Sequence, residues 1–134
     1  MEKSLIKYFS RIPEVTAVYL FGSRARGRHR EDSDVDIGLL LLESDGVPAE
    51  LTRERVTVEL SRQLRKDVHV VIINAAGEVL LKQILSHGRQ ILVKDRTMLR
   101  RFLMAAMARI AEFGHYQKAF QRGMVKNLAE KTHG

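Results

Sequence analysis

Two short, almost unbroken apolar runs, Val15–Phe21 and Val35–Leu42, constrain this chain more than any other feature. Both fall far short of the ~18 residues that a membrane span requires. The first is rich in β-branched and aromatic residues and lies between Pro13 and Gly22, as a buried strand would. The second is apolar at nearly every position, so a strand there is covered on both faces. At 134 residues, 45% apolar and 29% charged, the chain has the size and composition of one globular domain. Such a length buries roughly two-thirds of the unfolded surface and holds a core without covalent staples. Cysteine is absent, which excludes disulfides and thiolate metal sites or nucleophiles. The histidines, at 29, 69, 87, 115 and 133, lack the spacing of a zinc cluster. Met1–Ile12 alternates charges with single apolar residues and has no signal-peptide core, so the expected location is the cytoplasm.

The remaining pattern alternates helix with strand, without repeats. Leu5, Ile6 and Phe9 share one face of a helix over 2–11, which Pro13 closes. Gly22–Asp32 is small and charged and reads as a turn with a short helix. After a loop at Glu43–Val47, Pro48 opens a helix over 48–65 that would bury Leu51, Val56, Leu60 and Leu64. Asp67–Asn74 reads as a third strand, Glu78–Ser86 as a helix stopped by Gly88, and Gln90–Val93 as a fourth strand. Asp95 caps a long final helix, in which Leu99, Phe102, Leu103, Ala106, Ile110, Phe113, Phe120 and Leu128 keep helical spacing. At ~1.5 Å per residue this stripe runs ~50 Å, more than a domain this size covers. Either the helix breaks at Gly114 or Gly123 and folds back on its own sheet, or part of the stripe buries against a partner.

The net charge of +7 is unevenly spread: 15 Lys/Arg face 13 Asp/Glu over residues 1–94, and 8 face 3 over 95–134. A basic surface attracts any polyanion and names no ligand. With aromatics at 6% and no Trp there are no stacking platforms for single strands, so direct nucleic-acid binding is not the expected main role.

Chemistry concentrates in Gly22-Ser23-Arg24-Ala25-Arg26-Gly27 and in Ser33-Asp34-Val35-Asp36. Residues two apart on a strand share a face, so Asp34 and Asp36 set two carboxylates side by side while Val35 and Ile37 point into the core. Close carboxylates in partial burial drive one pKa up unless a cation neutralises them, and oxygen donors without sulfur select Mg2+ or Mn2+. Asp67 heads the next strand and completes a trio if that strand lies beside the second. Three such groups suit two-metal phosphoryl or nucleotidyl transfer. Gly22-Ser23, directly after a strand, offers a triphosphate close backbone approach, N–H donors and a hydroxyl. Arg24 and Arg26 add charge-assisted phosphate contacts, and Ser33 is placed with them at the nucleotide. Taken singly, each feature is commonplace: a turn, a solvated edge, an exposed basic face, a strand cap. Their joint order carries the reading. His69 shares a face with Asp67 and either approaches the metals or is a partly buried, hydrogen-bonded histidine.

The segment FGSRARGRHREDSDVDIGLLL resembles the signature of the minimal nucleotidyltransferases, the smallest members of the DNA polymerase β superfamily, and most of all the MntA antitoxin group. The resemblance spans Val15 to Asn74 in motif terms. It implies an α/β (α+β) polymerase β-like nucleotidyltransferase fold: a small mixed sheet flanked by helices, the site at one edge, and a long C-terminal helix. It further implies that Gly22 and Ser23 bind the triphosphate, that Asp34 and Asp36 ligate both of two Mg2+ ions, with Mn2+ able to replace them, and that Asp67 ligates the catalytic ion and activates the acceptor hydroxyl. ATP as donor follows from the resemblance alone. Two residues depart from the family's habit: His29 where a small residue is common, and Gly38 on the Asp36 face, where the lack of a side chain is expected to open the pocket floor.

The organisation expected is a nucleotidyltransferase domain at 1–94 and a helical segment at 95–134 of the same domain that docks a partner. Forty residues are too few for the extra domain with which larger relatives close the cleft, so the acceptor is expected on another macromolecule. MntA-like proteins pair with a HEPN-domain ribonuclease toxin, HepT, and transfer AMP to a toxin tyrosine. The resemblance therefore implies an antitoxin and protein adenylyltransferase in a hetero-oligomer with such a toxin. The alternatives are an antitoxin that only masks the toxin, and a small-molecule nucleotidyltransferase, which the basic tail disfavours for cationic substrates.

Overall fold

The computed structural model describes residues 1–24, 33–42 and 46–113. Strand β1 (Val15–Phe21) forms where the first apolar run predicts it, and every one of its residues is buried. Strand β2 (Val35–Leu41) pairs antiparallel with it, Leu20 opposite Ile37 and Phe21 opposite Asp36. Strand β3 (Val68–Ile72) lies parallel to β2, and strand β4 (Arg89–Val93) antiparallel to β1, giving the order β3-β2-β1-β4. Parallel neighbours need a crossover, and helix α2 (Ala49–Leu64) supplies it between β2 and β3.

Alternation along β1 and β2 divides the core. Val18, Leu20, Val35, Ile37 and Leu39 pack with Leu5 and Phe9 of helix α1 (Glu2–Ser10) and Val56 and Leu60 of α2. Ala17, Tyr19, Phe21 and Leu40 face the other way, onto Leu81, Ile84 and Leu85 of helix α3 (Glu78–His87) and Leu99, Leu103, Ala106 and Ile110 of helix α4 (Arg96–Phe113). The sheet is thus covered on both sides, as the unbroken apolar runs require.

Three local expectations shift. Helix α2 buries Thr52, Val56 and Leu60, whereas Leu51 is 57% exposed. The Thr52 hydroxyl donates to Glu14 Oε2 at 3.2 Å, so Thr52 rather than Leu51 continues the face of Val56 and Leu60. In α1 Leu5 and Phe9 are buried but Ile6 faces solvent. Strand β3 ends at Ile72, and beyond it the Asn74 side chain replaces strand pairing, accepting from Leu41 N–H at 2.8 Å and donating to Leu41 carbonyl at 2.9 Å. Asp95 caps α4 as expected, its Oδ1 accepting from Met98 N–H at 3.0 Å. The buried face of α4 lies on the protein's own sheet through Ile110, while Gly114, Phe120, Gly123 and Leu128 lie outside the described residues.

Candidate active site

Strand β1 delivers the chain to Gly22, whose φ of +72° falls in the left-handed region that side chains disfavour. A Cβ at this position would also overlap the Asp36 carboxylate. Glycine is therefore demanded twice, by the backbone angle and by the close approach of the turn to Asp36. A 3-10 turn, Gly22–Arg24, follows, with Ser23 at its centre. Arg24 is 7% exposed, and its guanidinium donates from Nε (3.3 Å) and Nη2 (2.8 Å) to the Ser33 carbonyl. The guanidinium expected on phosphates thus braces the turn against the chain that enters β2. Arg26 and His29 lie outside the described residues.

Asp34 immediately precedes β2 and Asp36 is the strand's second residue, which places both on the α3/α4 side. Burial, reinforced by the neighbouring Asp34 charge and opposed by His69, pushes the Asp36 carboxyl above its ordinary range. The adjoining strand is β3, as the trio requires, with Asp36 beside His69 and Val35 beside Val68. Asp67 stands one residue before β3, exposed, its carbonyl accepting from Val35 N–H at 2.9 Å. This puts Asp67 level with Asp34 and puts His69 level with Asp36. His69 Nε2 lies 3.2 Å from Asp34 Oδ2, with 60% of the His69 side chain and 55% of Asp34 exposed. His69 is therefore hydrogen-bonded, as expected, but open to solvent rather than partly buried. Its parity with Asp67 was legible in the sequence; its place beside Asp36 came only with the pairing of β3.

Among the described residues no three His, Asp or Glu side chains are gathered closely enough to hold an ion between them. Asp34 and His69 touch, and Asp36 flanks them one strand position on. The donor set nevertheless fits a divalent cation. Two carboxylates share a face, burial holds Asp36 above its ordinary pKa, and Gly22 keeps a side chain off its flank. The floor is closed, contrary to the expectation for Gly38: a Cβ there would meet Ile73 Cδ1 at 3.0 Å and Ile84 Cδ1 at 3.7 Å, so side chains from beyond β3 and from α3 already fill that space. A cavity of 620 Å³, lined by Tyr8, Arg11, Arg55, Glu59 and Arg62 among others, opens on the α1/α2 side, away from the carboxylates.

A glycine turn ending one strand is set against a carboxylate at the start of the next. Residues 3–97 match the polymerase beta nucleotidyltransferase family, and the chain belongs to it. It is 32% identical over 92 residues to the protein adenylyltransferase MntA of Shewanella oneidensis, covering 67% of this chain and 63% of that protein, so it spans less than two-thirds of that relative. Its fold is similar to that of the MNT antitoxin in complex with a tri-AMPylated HEPN toxin from the same organism, with a TM-score of 0.65, 22% identity, and coverage of 96% of this chain and 95% of that one. A toxin–antitoxin crystal structure with AMP-PNP aligns with a TM-score of 0.60 at 24% identity, over 98% of this chain and 87% of the other. At these identities the structural likeness speaks for the fold.

Proposed function

We propose that this chain is a protein adenylyltransferase and antitoxin, transferring AMP from ATP to a tyrosine of a HEPN ribonuclease toxin. The observation that carries the reading is Gly22, held at positive φ close against the Asp36 carboxylate, which supports a phosphate-binding role for the turn beside the carboxylates. The named relative, an adenylyltransferase, supports the choice of AMP. In the proposed reaction the tyrosine oxygen attacks the α-phosphorus in line, the bond from that phosphorus to the bridging oxygen of the β-phosphate breaks, pyrophosphate departs, and the phenolic proton passes to a base.

The Gly22-Ser23 backbone approaches the triphosphate closely because no side chain intervenes at Gly22. Arg24 acts through the turn that it braces, while Arg26 and Ser33 join the phosphate contacts. Asp34 and Asp36 hold two Mg2+ ions, with Mn2+ as a substitute, and the third protein ligand comes from the start of β3, at Asp67 or His69. Divalent ions bound there would supply Lewis-acid charge that favours the phenoxide-like nucleophile and the leaving pyrophosphate. Asp67, exposed at the strand's head, takes the proton from the acceptor hydroxyl. The helical segment at 95–134 belongs to the same domain and presents its outer face to the toxin in a hetero-oligomer. Among the described residues no helix is long and apolar enough to cross a membrane, in keeping with action in the cytoplasm.

The test pairs the purified chain with its cognate HEPN protein and measures both AMP incorporation, by mass spectrometry, and ribonuclease activity. Asp36→Asn is expected to reduce transfer by about 10³-fold, the few kcal/mol that metal-held charge contributes, and to release the ribonuclease with it. Transfer lost with neutralisation intact would instead establish masking. Labelling of a small cationic acceptor but not of protein would establish the small-molecule enzyme.

A further inference from the structure

We propose that the cavity between α1 and α2 is a binding site for a nucleoside polyphosphate, separate from the carboxylate site. The inference stands apart from the proposed reaction, because the sheet lies between the two places. Asp36 faces α3 and α4, whereas the cavity opens on the α1/α2 side. Its volume of 620 Å³ falls within the about 300–1,000 Å³ of small-molecule sites.

Helical spacing builds the lining. Arg55, Glu59 and Arg62 recur at intervals of four and three residues and so share one face of α2, opposite Tyr8 of α1 and Arg11 at its C-cap. The Tyr8 hydroxyl donates to Glu59 Oε1 at 3.2 Å, and Arg55 Nε lies 3.5 Å from the same oxygen. The carboxylate of the lining is thereby engaged. Among the described residues no carboxylate pairs with Arg11 or Arg62. Both arginines stand at helix C-termini, where the macrodipole places only about half a negative charge. The full positive charge of each guanidinium exceeds that, so the cavity stays positive and suits an anion.

Shape selects among anions. Guanidinium forks match phosphate oxygens bidentately, and two of them suit successive phosphates of one chain. Bare pyrophosphate would leave much of the space to water, whereas a nucleoside fills it and can lay its base on the Tyr8 ring. An acidic peptide fits less well. Both walls are helices, whose backbone groups bond internally, so an extended segment finds no strand edge to pair with.

The test titrates ADP into the isotope-labelled full chain with EDTA present, so that no divalent ion supports binding at the carboxylates. Amide resonances of Tyr8, Arg11, Arg62 and Gln63 are expected to move and saturate, while those of Gly22 and Ser23 stay. Arg11→Gln and Arg62→Gln should each weaken ADP binding at least about tenfold. Tyr8→Leu should weaken binding of ADP but not of pyrophosphate. None of the three side chains is buried, so these variants should fold, as circular dichroism would verify. The absence of saturable shifts, shifts confined to Gly22 and Ser23, or ADP affinity unchanged in both arginine variants overturns the site. Pyrophosphate bound by the wild type as tightly as ADP overturns the role of the nucleoside, and hexaglutamate bound as tightly overturns that of the phosphates. The carboxylate site stands or falls separately, by the Asp36→Asn assay.

Discussion

Replacing Gly22 with alanine perturbs the turn in two separable ways. The left-handed backbone angle costs a non-glycine residue about 1–2 kcal/mol, and φ here is +72°. The added methyl also lands on the Asp36 carboxylate, and relieving such an overlap by shifting side chain or backbone costs about 1–3 kcal/mol more. Together Gly22→Ala should destabilise the fold by about 2–5 kcal/mol, a large share of the about 5–15 kcal/mol typical of a domain. Urea denaturation of wild type, Gly22→Ala, Asp36→Ala and the double variant would measure this as a cycle. In the Asp36→Ala background the overlap is gone, so the same glycine substitution should cost only about 1–2 kcal/mol. A single-variant loss below about 0.5 kcal/mol, within the range of ordinary surface changes, would refute the strained turn. Equal costs in the two backgrounds would refute its contact with Asp36.

Other outcomes follow from the packing. Leu103→Ala in α4 should cost about 2–5 kcal/mol in denaturant, because Leu103 is buried against the sheet, whereas Met104→Ala, exposed beside it, should stay within about 0.5 kcal/mol of wild type. Asn74→Ala strands both the N–H and the carbonyl of Leu41 and should cost about 1–3 kcal/mol, which Asn74→Asp, keeping the acceptor alone, restores only in part. Burial pushes the Tyr19 hydroxyl up to about 12 from an ordinary value of 10.0. The folded protein therefore keeps a proton that the unfolded chain releases above about pH 10, so this stabilisation is full below pH 10 and fades as pH rises toward 12. Tyrosinate absorbance alongside denaturation at stepped pH would check it, and the loss between pH 10 and 12 should be smaller in Tyr19→Phe, the remainder coming from groups such as Tyr8, whose hydroxyl burial also raises.

Much of this architecture is written locally. The runs at Val15–Phe21 and Val35–Leu41 are strands because nothing but a sheet covered on both faces can hide them, and Asp95 caps α4 because its carboxylate reaches an N–H three residues on. The shared face of Asp34 and Asp36 follows from the two-residue period of any strand. The shared face of Asp67 and His69 follows from the same period, yet parity says nothing about which residue of one strand lies beside which residue of the next. The same limit applies to α2, where spacing admits either Leu51 or Thr52 and a bond to Glu14, distant in sequence, selects Thr52.

The sequence by itself thus determined the strands, the glycine turn and the paired carboxylates, since each depends on covalent geometry within a few residues. Only the tertiary structure set His69 rather than Asp67 beside Asp36, closed the space over Gly38 with Ile73 and Ile84, and turned Arg24 onto the Ser33 carbonyl. Those outcomes depend on register and packing between segments far apart in the chain, and local periodicity does not encode the offset between one strand and its neighbour.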